Sequence, residues 1–300
     1  MRVFLTGATG FIGSRIVAEL IGSGYQVLGL TRSDAGARTL RQAGAEVHRG
    51  TLENPDTLRS GAAQADAVIH TAFDHDFSNF VANCEKDKRA IAALGAGLQG
   101  SDRPLIITSG TGVGIATPGQ LASEEIANFE HPNPRVASEI AGAALFEAGV
   151  NVSVVRLPQV HDPVKQGLVS PLVEIARAKR LAAYVAGGSN RWPAAHVLDV
   201  ARLYRLALER NIPGARYHAV AEEGVSARDI VTAVGNGLGV PVVSIPFEKA
   251  NEYYGWLGPF ASLDMPASSA KTREWLNWSP TGPGLLADLA AMDYSVSPGA

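Results

Sequence analysis

Cysteine is nearly missing: Cys84 is the only one in 300 residues. A single thiol excludes an intrachain disulfide and, alone, a thiolate metal cage. Charge is sparse as well, at 18% of residues, with 26 basic against 29 acidic side chains and a formal net charge of −3. That balance gives no general attraction to nucleic acid or to an anionic membrane. No apolar run approaches the roughly 20 residues that cross a bilayer. The opening Met1-Arg2-Val3-Phe4-Leu5-Thr6-Gly7 lacks a signal peptide's apolar stretch, because Thr6 and Gly7 interrupt it. A soluble, cytoplasmic protein is expected. What is abundant is hydrophobic side chain, 46% of the total, enough for a large core and incompatible with a disordered or fibrous chain.

The first half alternates short apolar runs with segments of helical period. Strands are predicted at Val3–Leu5, Tyr25–Leu30, Glu46–His48, Ala67–His70, Pro104–Ile107 and Val152–Val155. Between them, Ile12, Ile16, Val17, Leu20 and Ile21 fall on one helix face, and further helices are predicted over Asn79–Leu98 and Pro134–Ala148. Strands alternating with helices require parallel pairing, and nearly continuous Val, Ile and Leu suits a sheet buried on both faces. The pattern predicts a doubly wound α/β fold. Beyond Arg156 the texture changes. Helices are expected over Leu172–Arg180, Val197–Glu209, Ser226–Gly237, Lys271–Leu276 and Leu285–Met292, and a loop over Gly187–Pro193. Short strands are expected at Tyr217–Val220 and Val242–Ile245, and a loose tail at the end. Tyr184, Trp192 and the aromatic cluster Tyr253–Trp256 can line an apolar pocket or be core.

Gly7-Ala8-Thr9-Gly10-Phe11-Ile12-Gly13 joins the first strand to the first helix. Gly7 permits the tight turn, Gly10 lets backbone approach a pyrophosphate, and Gly13 lets helix pack on strand. The helix N-terminus offers unpaired N–H groups. At the end of the second strand, a carboxylate would favour an unphosphorylated adenosine ribose. Arg32 and Ser33 stand there instead, and a guanidinium can bracket a 2′-phosphate. NADP(H) is therefore the expected cofactor, with Asp34 beyond it as a helix cap.

These residues resemble the extended short-chain dehydrogenase/reductases, the epimerase/dehydratase-like branch. The resemblance rests on the glycine loop, Gly50-Thr51-Leu52, His70-Thr71-Ala72, Ile107-Thr108-Ser109-Gly110-Thr111, Arg156-Leu157-Pro158 and Arg191-Trp192-Pro193-Ala194-Ala195-His196-Val197-Leu198-Asp199. It implies a Rossmann domain over residues 1–160, with 191–220 packing back onto it, and a smaller C-terminal α/β substrate domain over most of 161–300. It also implies cofactor contacts at Thr9, Phe11 and Ile12, adenine near Thr51 and Leu52, ribose or pyrophosphate near Ala72, and nicotinamide near Pro158. The family's Tyr and Lys, one helical turn apart, fall on Arg135 and Glu139, and its usual Asn falls on Asp87. Loss of that pair resembles the family's atypical members.

Candidate chemistry then rests on Ser109 and Thr111 as hydroxyl donors, with Arg135, Glu139 or His161 assisting. Arg135 can hold an oxyanion but is a poor acid. Glu139 can act as an acid if burial raises its pKa, or pair with Arg135 across one turn. His161 and Asp162, and Asp74-His75-Asp76, lie at sheet-end positions where ligands bind. His196 and Asp199 read better as the start of a helix, and no ligand spacing indicates a metal. The expected function is an NADP(H)-dependent oxidoreductase reducing a carbonyl of a small organic molecule. The alternatives are a nucleotide-sugar epimerase or dehydratase, and a non-catalytic NADPH-binding sensor. Apolar positions on Ala90–Leu98 and Ile140–Phe146 resemble the family's dimer faces, which suggests a homodimer; they can equally be core.

Overall fold

A computed structural model describes residues 1–117 and 119–296. The first half runs β1 (Arg2–Thr6), α1 (Phe11–Gly22), β2 (Gln26–Thr31), α2 (Asp34–Gln42), β3 (Glu46–Arg49), α3 (Pro55–Ala63), β4 (Ala67–His70), α4 (Phe80–Ala96), β5 (Leu105–Gly110), α5 (Val136–Glu147) and β6 (Val152–Leu157). The second half follows with β7 (Gln159–His161), α6 (Val169–Lys179), β8 (Ala182–Val185), β9 (Arg191–His196), α7 (Val197–Arg210), β10 (Arg216–His218), β11 (Glu222–Ser226), α8 (Ala227–Leu238), β12 (Val242–Ile245), α9 (Ala250–Tyr254), α10 (Gly258–Ala261), α11 (Ala270–Leu276) and α12 (Leu285–Ala291). The part of the expected loose tail from Ser297 onward lies outside the described residues.

The central sheet has seven strands in the order β10-β6-β5-β4-β1-β2-β3, with every pairing parallel. Parallel register brings all the strand carboxyl ends to one edge, and there the candidate residues collect. Val3, Phe4 and Leu5 are fully buried because helices cover both faces. One face packs Val3, Leu5, Ile16 and Val17 against Val200, Leu203 and Tyr204 of α7. The other packs Phe4 and Leu28 against Leu58, Ile91, Leu94 and Ala141 from α3, α4 and α5. Thus α7 and β10, far along the chain, complete the first layer. A separate core under α6, α8 and α12 organises the C-terminal part. Among the described residues no helix is long and apolar enough to cross a membrane.

The structure corrects several expected boundaries. Gly187–Pro193 is not all loop, since β9 starts at Arg191 and lies between β11 and β7. Pro193 is tolerated because the β9–β11 register shifts there, between Ala194 facing Glu222 and Trp192 facing Val225. The short α3 has little apolar periodicity and declares itself by its ends: Asn54 caps it and Pro55 opens its first turn. The cap of α2 is Ser33, whose Oγ accepts Gly36 N–H, while Asp34 is the first helical residue. Ala90, Ile91, Leu94 and Leu98 are core, whereas Ile140 and Phe146 are exposed. Trp192 and Tyr254 are likewise core, and Trp256 is exposed.

A buried charge joins the two halves. Arg156, at the end of β6, has no solvent exposure, yet Nε and Nη2 donate to the two carboxylate oxygens of Glu139 at 2.7 Å each. Its Nη1 donates to Ser123 O at 3.2 Å and to His218 Nε2 at 3.1 Å. The other His218 nitrogen donates to Ser268 O at 2.8 Å, and the His218 N–H reaches Thr272 Oγ1, which in turn donates to Glu124. Burial, reinforced by the Arg156 charge, pushes the His218 pKa down to about 3. The unfolded imidazole titrates near 6.5, so below that pH the unfolded chain gains a proton that folded His218 refuses. This one group should cost about 1.4 kcal/mol of stability per pH unit as pH falls from about 6.5 toward 3. Denaturant midpoints measured against pH should show a slope shallower by about one proton in His218→Gln; an unchanged slope would show that His218 protonates freely.

Candidate functional site

The glycine loop is shaped by contacts that exclude a Cβ. Gly7 has φ +70°, and a Cβ there would stand 2.7 Å from Ala72 N. At Gly13 a Cβ would fall 2.0 Å from Gly7 O, so α1 can approach the loop only with glycine in place. The Gly10 N–H closes the turn on Gly7 O at 2.8 Å. Thr9 and Gly10 are exposed, and Phe11 and Ile12 are half-buried. No side chain caps α1 and its first turn holds no acid, leaving a positive dipole end suited to a pyrophosphate. A dinucleotide fits this cradle.

The residues expected on the adenosine side lie along the same edge. Arg32 is exposed at the end of β2, and Asp34, the nearby carboxylate, pairs with Arg49. Ser33 is occupied in capping α2. Thr51 and Leu52 are half-buried after β3, Ala72 is half-buried after β4 with its N–H 3.3 Å from Thr6 Oγ1, and Pro158 follows β6. Lys86 staples the loops beyond β3 and β4 together, 3.1 Å from Glu53 and 2.7 Å from Asp74.

A buried polar chain runs beneath. Thr6 Oγ1 is 2.7 Å from His70 Nδ1, and His70 Nε2 is 3.0 Å from Asp87 Oδ1. With Asp87 ionised, His70 donates from Nε2 and accepts from Thr6, an assignment made from the network. Asp87 Oδ2 accepts from Ser138 Oγ at 2.6 Å and from Arg135 Nη1 at 2.5 Å. Arg135 Nη2 donates to Thr108 O at 2.8 Å, and the guanidinium lies 4.2 Å over the Phe73 ring. Tyr204 donates to Thr108 Oγ1 at 2.6 Å, linking α7 to the same node.

Burial alone would raise the Asp87 carboxyl, but Arg135 and His70, with hydrogen bonds from His70 and Ser138, hold it well below the usual carboxylate range. Sequence reasoning placed Asp87 and Arg135 separately and missed that they bind each other. A signal was present: His70 ends an otherwise apolar strand directly beside Thr6 in register.

Ser109 and Thr111 are buried at the carboxyl end of β5 and the turn after it, and Ser109 Oγ makes no hydrogen bond among the described residues. Its hydroxyl is thus left free to donate to an oxygen acceptor. Glu139 does not pair with Arg135; Arg156 holds both its oxygens, because its side chain turns toward β6 rather than along its own helix. His161 has no exposure, with Nδ1 at 2.6 Å from Asp288 and Nε2 enclosed without a partner. Burial lowers its pKa against the pull of Asp288. Asp162 binds the N–H groups of Val164 and Lys165, forming a turn. His196 caps α7, and Asp199 accepts from Thr281 and Gly282.

Residues 3–220 match the NAD dependent epimerase/dehydratase family. An uncharacterized protein of Schizosaccharomyces pombe is 45% identical over 295 residues, 98% of this chain and 100% of the relative. A UDP-glucose 4-epimerase of Streptomyces lividans is 28% identical, covering 96% and 93%. A 2-alkyl-3-oxoalkanoate reductase of Stenotrophomonas maltophilia is 28% identical, covering 83% and 80%. The solved dTDP-glucose 4,6-dehydratase DesIV of Streptomyces venezuelae, with NAD and TYD bound, shares the fold at a TM-score of 0.76 and 19% identity, covering 98% and 96%.

Replacing Asp87 by Asn leaves the Arg135 charge buried without its counterion. The expected loss at neutral pH is about 3–5 kcal/mol. A depressed carboxylate stabilises fully above its unfolded pKa, near 3.9, and that contribution fades as pH falls through the folded value. The gap between wild type and Asp87→Asn, measured by urea unfolding, should therefore be full above about pH 4 and shrink below it.

Proposed function

Because the chain belongs to the NAD dependent epimerase/dehydratase family, we propose that it is an NADP(H)-dependent oxidoreductase that reduces a carbonyl of a small organic molecule. The observation that carries this reading is the buried, unpartnered Ser109 hydroxyl, one peptide away from the Thr108 carbonyl that Arg135 grips at 2.8 Å. Bound NADPH would supply the hydride. Ser109 donates a hydrogen bond to the acceptor oxygen and passes its proton to that oxygen as the hydride arrives, regaining one from solvent, with Thr111 close by on the following turn. The Arg135 guanidinium stabilises negative charge developing on that oxygen and does not deliver the proton. Asp87 and Thr108 O hold the guanidinium in place, which removes the reorganisation a free arginine would need. Glu139 and His161 face Arg156 and Asp288 in this state, so the reading gives them positioning roles.

Arg32 supports the phosphorylated cofactor. It is exposed beside the adenosine end, and the carboxylate that would repel a 2′-phosphate, Asp34, is neutralised by Arg49. Thr51, Leu52, Ala72 and Pro158 complete the cofactor's run along the edge.

The UDP-glucose 4-epimerase of Streptomyces lividans favours a second reading, nucleotide-sugar epimerisation or dehydration. That chemistry begins with oxidation and needs a base. Here the Tyr and Lys positions hold a paired arginine and a buried glutamate, which weakens this reading.

Titration with NADPH and NADH should give tighter binding of NADPH, and Arg32→Ala should weaken NADPH alone by about tenfold, the loss of one charge-assisted contact. Ser109→Ala should lower kcat for carbonyl reduction about 100-fold with NADPH binding unchanged. A wide carbonyl panel that never oxidises NADPH above background would overturn the reading.

A further inference from the structure

A row of aromatic rings lies outside the apolar cores except at Phe260, which packs on the C-terminal core. The segment that leaves β4 carries Phe73, His75 and Phe77, and α4 opens with Phe80. Phe73 meets His75 edge-on at 5.3 Å and Phe80 at 6.1 Å, and Phe80 lies 5.4 Å from Phe77. From the C-terminal part, Trp256 stacks on Phe77 at 4.5 Å with an interplanar angle of 10°, and Phe260 meets both edge-on at 6.5 Å. The row begins under the Arg135 guanidinium and ends on a Trp256 that remains 44% exposed. These rings are partly buried or exposed, and they run from the surface at Trp256 to the Arg135 guanidinium of the proposed site.

Charge on the ring-bearing segments narrows what can enter. Residues 71–80 contain Asp74 and Asp76 and no Lys or Arg, and residues 247–264 contain Glu248, Glu252 and Asp264 against the single Lys249. Lys249 already pairs with Glu252 at 2.5 Å. Asp74 pairs with Lys86 and Asp264 with Arg191, so the carboxylates left to face a nucleotide diphosphate are Asp76 and Glu248, and neither segment offers it a free cation.

We propose that the substrate is an uncharged carbonyl compound bearing an aromatic ring, and that the ring is gripped by Phe77 and Trp256. Phe77 and Trp256 stack on each other, so a substrate ring would either part them to about 9 Å, twice the closest ring spacing, or dock on the exposed Trp256 face. Because one ring belongs to the cofactor side and the other to the C-terminal part, the same substrate ring bridges the two. The inference rests on the reductase reading for the fate of the carbonyl, but the ring subsite is tested by binding alone.

The full-length protein, saturated with NADP+, is titrated by calorimetry with 2-acetylnaphthalene, cyclohexanone and UDP-glucose, and NADPH oxidation is followed with the two ketones. The expected result is binding of 2-acetylnaphthalene at least tenfold tighter than cyclohexanone, and none of UDP-glucose. Trp256→Ala and Phe77→Ala should each weaken the naphthyl ketone about tenfold, raising KM rather than lowering kcat, with NADPH affinity intact. Trp256→Phe should restore most of it. Naphthyl binding without turnover would sink the reductase reading and leave the ring subsite standing. Tight UDP-glucose binding with no naphthyl binding would overturn the proposal. So would a Trp256→Ala protein that melts lower yet binds the naphthyl ketone as wild type does, since the rings would then be only a brace.

Discussion

An arginine without solvent is the constraint around which this molecule is arranged. Arg156 ends β6 inside the protein, and its charge is tolerable only because Glu139 meets it with two hydrogen bonds. Those bonds decide much else. They orient α5, which Arg135 immediately precedes as its N-cap residue, and through Ser123 and His218 they fix where the segment after β5 and the later β10 can lie. Removing either partner would leave the other buried and unpaired, so the pair acts less as a source of stability than as a specification of one arrangement.

Alongside it lies a second charge pair with a different task. Where the family resemblance implies a neutral phenol and amide, this chain has Arg135 against Asp87, backed by His70 and Thr6. A phenol can pass a proton and a guanidinium cannot. The exchange keeps a hydrogen-bond donor at the site and removes a titrating group, which is why the positions of the residues carry more functional information than their kinds.

Much of the architecture was legible in the sequence because it depends on local pattern. The glycine loop, the alternating strands and α1 follow from periodicity and from where glycine must stand. The site was legible as a set of positions but not as a set of partners. Glu139 and Arg135 share a helix face, and spacing alone pairs them; the structure gives Glu139 to Arg156, a residue on a strand. Nothing in a linear pattern reveals that, although a lone arginine in the apolar run Val152–Leu157 announces a buried counterion. Pro193 misled for a similar reason: a bulge absorbs the missing donor, and bulges depend on the neighbouring strand. The row of rings beyond β4 was half visible, as the Trp256 cluster, with its counterpart around Phe77 unrecognised until the two halves were seen together.

The placement of α7 and β10 bears on how such a chain can change over time. The sheet that cradles the dinucleotide is finished by segments encoded after much of the other half, and Tyr204 reaches from α7 to Thr108 at the centre of the site. A gene fragment ending near residue 160 would lack the β10 edge strand and leave one sheet face without α7 beside α1. Recombination cannot therefore lift the nucleotide-binding half out as a transferable module, and new specificities must arise by altering the intervening loops while both halves are inherited together.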